Sequence, residues 1–395
     1  MGVSFPSPFA PVLPVLRSRC TPRLPGQRRA KDVLQGRDRC FTSSGSAAIE
    51  LALRLAGVSS GDEVLVPAFN CRTMVEPILR IGARPALYRV SPTLEVEIDA
   101  IARATSRTPR ALVFPHYFGF PNPIRDVSKW CDDEGVVLVE DCAHAFLSTV
   151  QGVPVGGSGE FGVASLRKFY PTDGGGCLFS EKPLPAGLRP KQASWSSEAR
   201  ALVTVAEQSL RWVRSGRRLI ELTAGARAGL RQALQISDRT VMDSAAARTT
   251  VAVSTPTPPN VVSASSRWAA WCALRGISTT AVERRRSNYL TIADAVSGCA
   301  RARPLFPALG NEVAPYMVPL LLDVAEPYFS RLKSAGVPIW RWDRLSSYTL
   351  ATPALTGLCP VTRDYGERLL QLPCHEGLSE TELHRICDML KRTLR

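Results

Sequence analysis

No uninterrupted apolar run in the 395 residues approaches the roughly 18 needed for a membrane-spanning helix. Nor is there a CxxC pair or a His/Cys cluster at metal spacing, and the 11 cysteines are odd in number and scattered. Reduced thiols are therefore expected, with neither a disulfide framework nor a structural zinc site. Low-complexity tracts, blocks of like charge and internal repeats are also missing. The 31 prolines and 28 glycines punctuate periodic segments instead. The first twenty residues are apolar and proline-rich. They lack a basic leader and run on into Arg17, Arg19 and Arg23, unlike a secretory signal. These absences point to a cytoplasmic, globular enzyme. The 45% hydrophobic content against 21% charged residues agrees, because a disordered chain would be poorer in apolar residues.

The net charge of +14 is carried mostly by arginine. Such a surplus suits anionic ligands: nucleic acid, acidic lipid or a phosphorylated small molecule. It is equally what arginine used as the preferred surface cation would give. The arginines are dispersed, and no zinc finger, RRM signature or basic stripe interleaved with aromatics occurs, so nucleic acid is not expected as a partner.

Residues 1–40 read as an arm. From Phe41 the pattern alternates, with helices at 47–55, 73–81, 98–105 and 124–134 and strands at 63–66, 86–90, 111–114 and 136–140. That alternation implies an α/β fold with a mainly parallel, three-layer sheet, whose ligand lies beyond the carboxyl ends of the strands. A long helical stretch at 197–235 follows, with Val203, Ala206, Leu210 and Val213 spaced to bury one face. The cofactor-binding domain is expected to span 41–253, including that stretch. A Ser/Thr/Pro linker at 254–259 precedes a smaller α/β domain at 260–395.

Three strings carry the chemistry. Thr42-Ser43-Ser44-Gly45-Ser46-Ala47 leads into a helix, where free amides and hydroxyls form an anion site. Read alone it fits an unliganded helix cap more readily. Asp141 ends the apolar run Val137-Leu138-Val139-Glu140 and needs a cationic partner if buried; a helix N-cap is the alternative. Lys168 lies between Ser165 and the glycines 174–176, which let backbone turn closely about a ligand, although an ordinary surface loop reads the same way. Arg167 beside it would favour loss of the lysine proton.

Together these strings resemble the DegT/StrS family of fold-type I aminotransferases, which depend on pyridoxal 5'-phosphate. The resemblance rests on Ser44-Gly45-Ser46-Ala47-Ala48, on Gly61-Asp62-Glu63-Val64-Leu65-Val66-Pro67 and on Pro115-His116-Tyr117-Phe118-Gly119. It extends to Glu140-Asp141-Cys142-Ala143-His144-Ala145, to Lys168 with Gly175-Gly176, to Gly336-Val337-Pro338-Ile339 and to Leu372-Pro373-Cys374-His375. It implies the aspartate-aminotransferase fold with a smaller C-terminal domain. By the same resemblance Lys168 holds the cofactor and moves the proton, Asp141 pairs with the pyridine nitrogen, and His144 lies near the ring oxygen. Ser44, Gly45, Ser46 and Ser165 would hold the phosphate. Cys71 falls where an aromatic ring usually stacks on the cofactor, with Phe69 as a substitute.

The implied reaction moves an amino group from an amino acid to a keto or aldehyde acceptor such as a nucleotide-linked keto sugar, in surface-polysaccharide or secondary-metabolite assembly. A homodimer is implied as well. Two departures stand out. Ser165 and Lys168 are only three residues apart, where the family has a longer spacing. An arginine-rich helical region also replaces the usual segment after the glycines. Two other readings remain: a cofactor-dependent dehydratase or eliminating enzyme, and a non-catalytic member that uses its basic helices on a partner. Membrane contact by those helices is less favoured, because serines, glycines and glutamates interrupt their face.

Overall fold

Strands that read as near-continuous apolar runs pair in parallel because helices cover both of their faces. The computed structural model describes residues 5–17, 20, 22–105, 107–188, 190–213, 229, 262–342 and 359–394. A seven-stranded sheet is built from β1 (Asp38–Thr42), β2 (Glu63–Pro67), β3 (Arg84–Tyr88), β4 (Ala111–Pro115), β5 (Val137–Asp141), β8 (Phe161–Ser165) and β9 (Gly176–Ser180). Its order is β1-β9-β8-β5-β4-β2-β3. Only β9 runs against the rest. A small hairpin of β6 (Thr149–Val150) and β7 (Val153–Pro154) lies between β5 and β8 in sequence.

Helices α1 (Gly45–Leu55), α2 (Arg72–Ile81), α3 (Ile98–Ala102) and α4 (Arg125–Glu134) alternate with the first strands. Every residue of β4 and β8 is buried. Burying a Leu, Val or Phe side chain is worth about 1.5–3 kcal/mol, so these central strands form a rigid platform for whatever their carboxyl ends carry.

After α5 (Trp195–Leu210) come α6 (Arg267–Arg275), α7 (Thr279–Ala295) and β10 (Ala302–Pro304). Then follow β11 (Met317–Leu322), α8 (Tyr328–Ser334), β12 (Trp340–Arg341), α9 (Pro360–Arg368), β13 (Leu369–Pro373) and α10 (Glu380–Leu394). A four-stranded antiparallel sheet, β10-β11-β13-β12, holds a second core with α7 and α10. The amino-terminal segment joins both cores: Val33 and Leu34 lie in the first and Ala10 in the second. The expected boundary at residue 40 falls inside β1. The expected linker at 254–259 and most of the helical stretch 197–235 lie outside the described residues.

Where that stretch is described, its buried face differs from the expected one. Ala201, Val205, Glu207 and Ser209 are buried, whereas Ala206 and Val213 are exposed. Small side chains make the contact because backbone packs there: the Leu16 amide donates to Ser209 Oγ at 3.0 Å, and that hydroxyl donates to the Val205 carbonyl at 2.7 Å.

One buried trio has metal-ligand chemistry. Atoms of His116, Glu140 and Cys142 lie within 4.8 Å of one another. Glu140 already accepts from the amides of Gly156, Ser158 and Gly159 at 3.0, 2.6 and 2.7 Å and meets His116 Nε2 at 3.1 Å. His116 Nδ1 accepts from the Asn122 amide at 2.9 Å. With these lone pairs used, the trio is a structural knot that fixes the end of β5.

Candidate active site

Strand register sets the site. Thr42 at the end of β1 pairs with Gly176, and Gly176 pairs with Ser165 at the end of β8. One strand further on, Asp141 at the end of β5 aligns with Val163 of β8. The turn before α1, the end of β8 and the end of β5 therefore share one edge of the sheet, at the carboxyl ends of its parallel strands.

At α1, Ser44 is the N-cap and its hydroxyl accepts from the Ala47 amide at 3.1 Å. The amides of Gly45 and Ser46 open the helix, where no preceding turn offers them an acceptor. Ser46 Oγ accepts from Arg80 Nη2 at 3.3 Å. A Cβ placed on Gly45 would stand 3.4 Å from Ser165 Cβ, so the helix start abuts the end of β8. A Cβ on Gly176 would fall 2.2 Å from the Ser44 carbonyl oxygen. Only glycine permits that approach.

After Ser165 the chain turns at once into a single 3-10 turn, Leu166–Lys168. This tight turn accommodates the short Ser165 to Lys168 spacing. Lys168 lands within charge range of Asp141 and Cys71 and 5.5 Å from the centre of the Tyr316 ring. Burial lowers its pKa, opposed chiefly by the Asp141 carboxylate and reinforced by Arg167. Burial raises the pKa of Asp141, against the Lys168 charge and the Ala143 amide, which donates to Oδ1 at 2.9 Å. No helix begins at Asp141, so the carboxylate closes a turn and is not a helix cap.

His144 stacks on Tyr316 with ring centres 4.6 Å apart and is T-shaped to Trp342 at 6.1 Å. Its Nδ1 accepts from the Phe118 amide at 3.3 Å, which leaves the proton on Nε2. Burial, and then the Lys168 charge, push its pKa well below the usual value, so the ring is neutral.

Tyr316 had no local signal in the sequence. It reaches the site because its amide donates to the Phe118 carbonyl at 2.8 Å, while a Cβ on Gly119 would fall 2.5 Å from the Ala314 carbonyl oxygen. Phe118 holds φ at +55° between these contacts. The Pro115-His116-Tyr117-Phe118-Gly119 string thus orients His144 with one backbone group and docks Tyr316 with the other.

Cys71 and Phe69 are held in different ways. Cys71 is the N-cap residue of α2, and its thiol lies 2.9 Å from the Thr73 hydroxyl. Phe69 is fully buried and stacked on Trp342 at 4.6 Å, with Tyr117 and Tyr365 around it. It packs as a core residue, with Trp342 already against its ring.

Residues 30–181 match the sequence profile of the DegT/DnrJ/EryC1/StrS aminotransferase family. That stretch, less than half of the chain, is similar to the family. It contains the helix cap, Asp141, His144 and Lys168. Curated relatives align over the same kind of stretch. A dTDP-4-dehydro-2,3,6-trideoxy-D-glucose 4-aminotransferase of Saccharopolyspora spinosa is 30% identical over 44% of this chain and 46% of its own length. GDP-perosamine synthase of Vibrio cholerae is 33% identical over 32% of this chain and 34% of its own. The aligned stretch thus spans less than half of these relatives. Solved structures cover more. An aminotransferase from Streptoalloteichus hindustanus superposes with a TM-score of 0.63 at 23% identity, over 90% of this chain and 85% of that one. A 3-amino-5-hydroxybenzoic acid synthase does so with 0.62 at 18%, over 90% and 86%. These likenesses establish the fold-type I architecture through both sheets.

Proposed function

We propose that the chain is a pyridoxal-phosphate-dependent aminotransferase that takes an amino group from an amino acid such as glutamate and delivers it to a keto sugar. The reading is carried by one observation: the carboxylate of Asp141 and the amine of Lys168 converge from neighbouring strand ends, each acting on the other's charge. The site also fits the cofactor in another respect. Asp141, His144 and Lys168 stay partly accessible although the residues framing them, Phe118, Phe169 and Tyr316, are buried. Polar side chains reachable at that depth make a cradle for a polar heteroaromatic molecule.

Bound there, the cofactor supplies an electron sink for a breaking C–H or C–N bond. Asp141 would hold the pyridine nitrogen in its protonated form, and the Gly45 and Ser46 amides with Ser165 would hold the phosphate. Neutral His144 would donate from Nε2 to the ring oxygen. Lys168 has two tasks, covalent attachment and proton transfer at the substrate carbon. Burial favours its neutral amine, the form that both tasks require.

The keto-sugar acceptor is supported by the names of the curated relatives, and surface-polysaccharide or secondary-metabolite assembly is the corresponding setting. A cytoplasmic location fits these soluble donors and acceptors; among the described residues no helix is long and apolar enough to cross a membrane. A homodimer is supported by the apolar side chains left outside on α5 and α6, with Trp195 80% and Leu274 51% exposed. The test is a half-reaction with glutamate. Bleaching of the cofactor band with stoichiometric 2-oxoglutarate supports transamination, whereas ammonia without 2-oxoglutarate rejects it in favour of elimination.

A further inference from the structure

A guanidinium withdrawn from water costs free energy unless its donors find acceptors. Arg37 meets that cost fully. It is 5% exposed and donates to Glu181 Oε1 at 2.7 Å and to the carbonyls of Val33, Val155 and Pro154 at 3.0, 2.7 and 3.1 Å. Arg285 is fully buried and, although its nitrogens make no hydrogen bond, it is ion-paired with Glu376 at 2.5 Å and lies over the Phe169 ring at 4.9 Å. Arg167 is different. It is half-buried in the 3-10 turn beside Lys168, yet among the described residues it makes no hydrogen bond, ion pair or ring contact.

Asp173 and Tyr316 act on Arg167 only at a distance. Burial lowers its pKa, and the Asp173 carboxylate opposes this. The Asp173 carboxylate is itself engaged with Ser266 Oγ at 3.2 Å. The Arg167 charge acts on the Lys168 amine, and Tyr316, whose ring centre lies 5.5 Å from that amine, is also within range of Arg167. The short turn after β8 therefore puts a cation with uncommitted donors next to the reactive amine.

We propose that Arg167 binds an oxyanion, carboxylate or phosphate, of a molecule seated at Lys168. A planar fork of N–H donors matches either group and gives a charge-assisted, two-point contact. Two sources offer that chemistry, the carboxylate of the amino donor and the phosphate of the cofactor. The inference rests on reading Lys168 as the active amine.

The test compares wild type with Arg167→Gln and Arg167→Lys, with urea midpoints to confirm folding. One arm titrates pyridoxal phosphate and pyridoxal by absorbance; the other titrates glutarate into the cofactor-loaded protein. A charged hydrogen bond is worth about 1.5–3 kcal/mol, which corresponds to about tenfold or more in affinity. Arg167→Gln should lose that factor for pyridoxal phosphate with pyridoxal unchanged, or for glutarate, and so identify the source. Arg167→Lys should lose less. Unchanged affinities in both arms, or equal losses for pyridoxal and its phosphate with glutarate unaffected, overturn the assignment. A wild-type protein that forms no adduct at all would instead reject the reading of Lys168. Calorimetry with inorganic phosphate and with glutarate on the protein as purified then still tests Arg167, and equal heats and affinities in wild type and Arg167→Gln overturn it.

Discussion

Lys168 and Asp141 are each perturbed by burial, in opposite directions, and each partly restores the other. Desolvation favours the neutral form of the lysine, the form a nucleophilic amine requires. Asp141→Asn removes the charge that opposes that effect. The Lys168 amine should then lose its proton at a lower pH than in wild type, as measured by pH-dependent amine labelling read out by mass spectrometry; a midpoint that stays put or rises contradicts the pairing. The same substitution should lower turnover about 10²–10³-fold, the usual scale for removing one preorganised electrostatic partner. Replacing Lys168 by Ala should abolish covalent attachment and lower turnover by at least about 10²–10⁴-fold, the scale of a general acid–base contribution. Near-normal turnover in Lys168→Ala would place the proton shuttle elsewhere.

At the scale of elements, the site depends on how closely α1, β8 and β9 approach. Gly176→Ala would drive a methyl group into the Ser44 carbonyl, a backbone atom that cannot swing aside. Overpacking of this kind costs about 1–3 kcal/mol or more. The urea midpoint should fall accordingly and pyridoxal phosphate should bind more weakly; a variant of unchanged stability would show that the turn is slack. The parallel strands were legible in the sequence because each is a short apolar run flanked by amphipathic helices. The carboxyl-end position of Asp141 followed from the same pattern. Less legible was anything decided by a distant partner. The antiparallel run of β9 follows from its pairing with β1 and β8, and the small-residue face of α5 from its contact with Leu16. Tyr316 enters the site through a hydrogen bond to Phe118, almost two hundred residues earlier in the chain. Phe69 looked available for stacking, but Trp342 already covers it.

Across the whole molecule, one buried ion pair ties together parts that are remote in sequence. Arg285 of α7 meets Glu376 after β13, Cys20 of the amino-terminal segment donates to Glu376 Oε1 at 3.2 Å, and the Phe169 ring beneath Arg285 belongs to the residue that follows Lys168. Removing one partner of a buried pair leaves an uncompensated charge and costs about 3–5 kcal/mol. Glu376→Ala should lose that much in urea denaturation, and a change below about 1 kcal/mol would show that the pair is not what joins these segments. Light scattering should give twice the monomer mass if the apolar faces of α5 and α6 are covered by a second copy, and monomer mass rejects the dimer.

The central claim is that a single amine carries the cofactor. Borohydride reduction after incubation with pyridoxal phosphate, followed by peptide mapping, tests it most directly. The label should be found on the peptide bearing Lys168 and be lost when Asp141 is changed to a residue that cannot hold the ring. Label on another lysine, or none in the wild-type protein, contradicts the account.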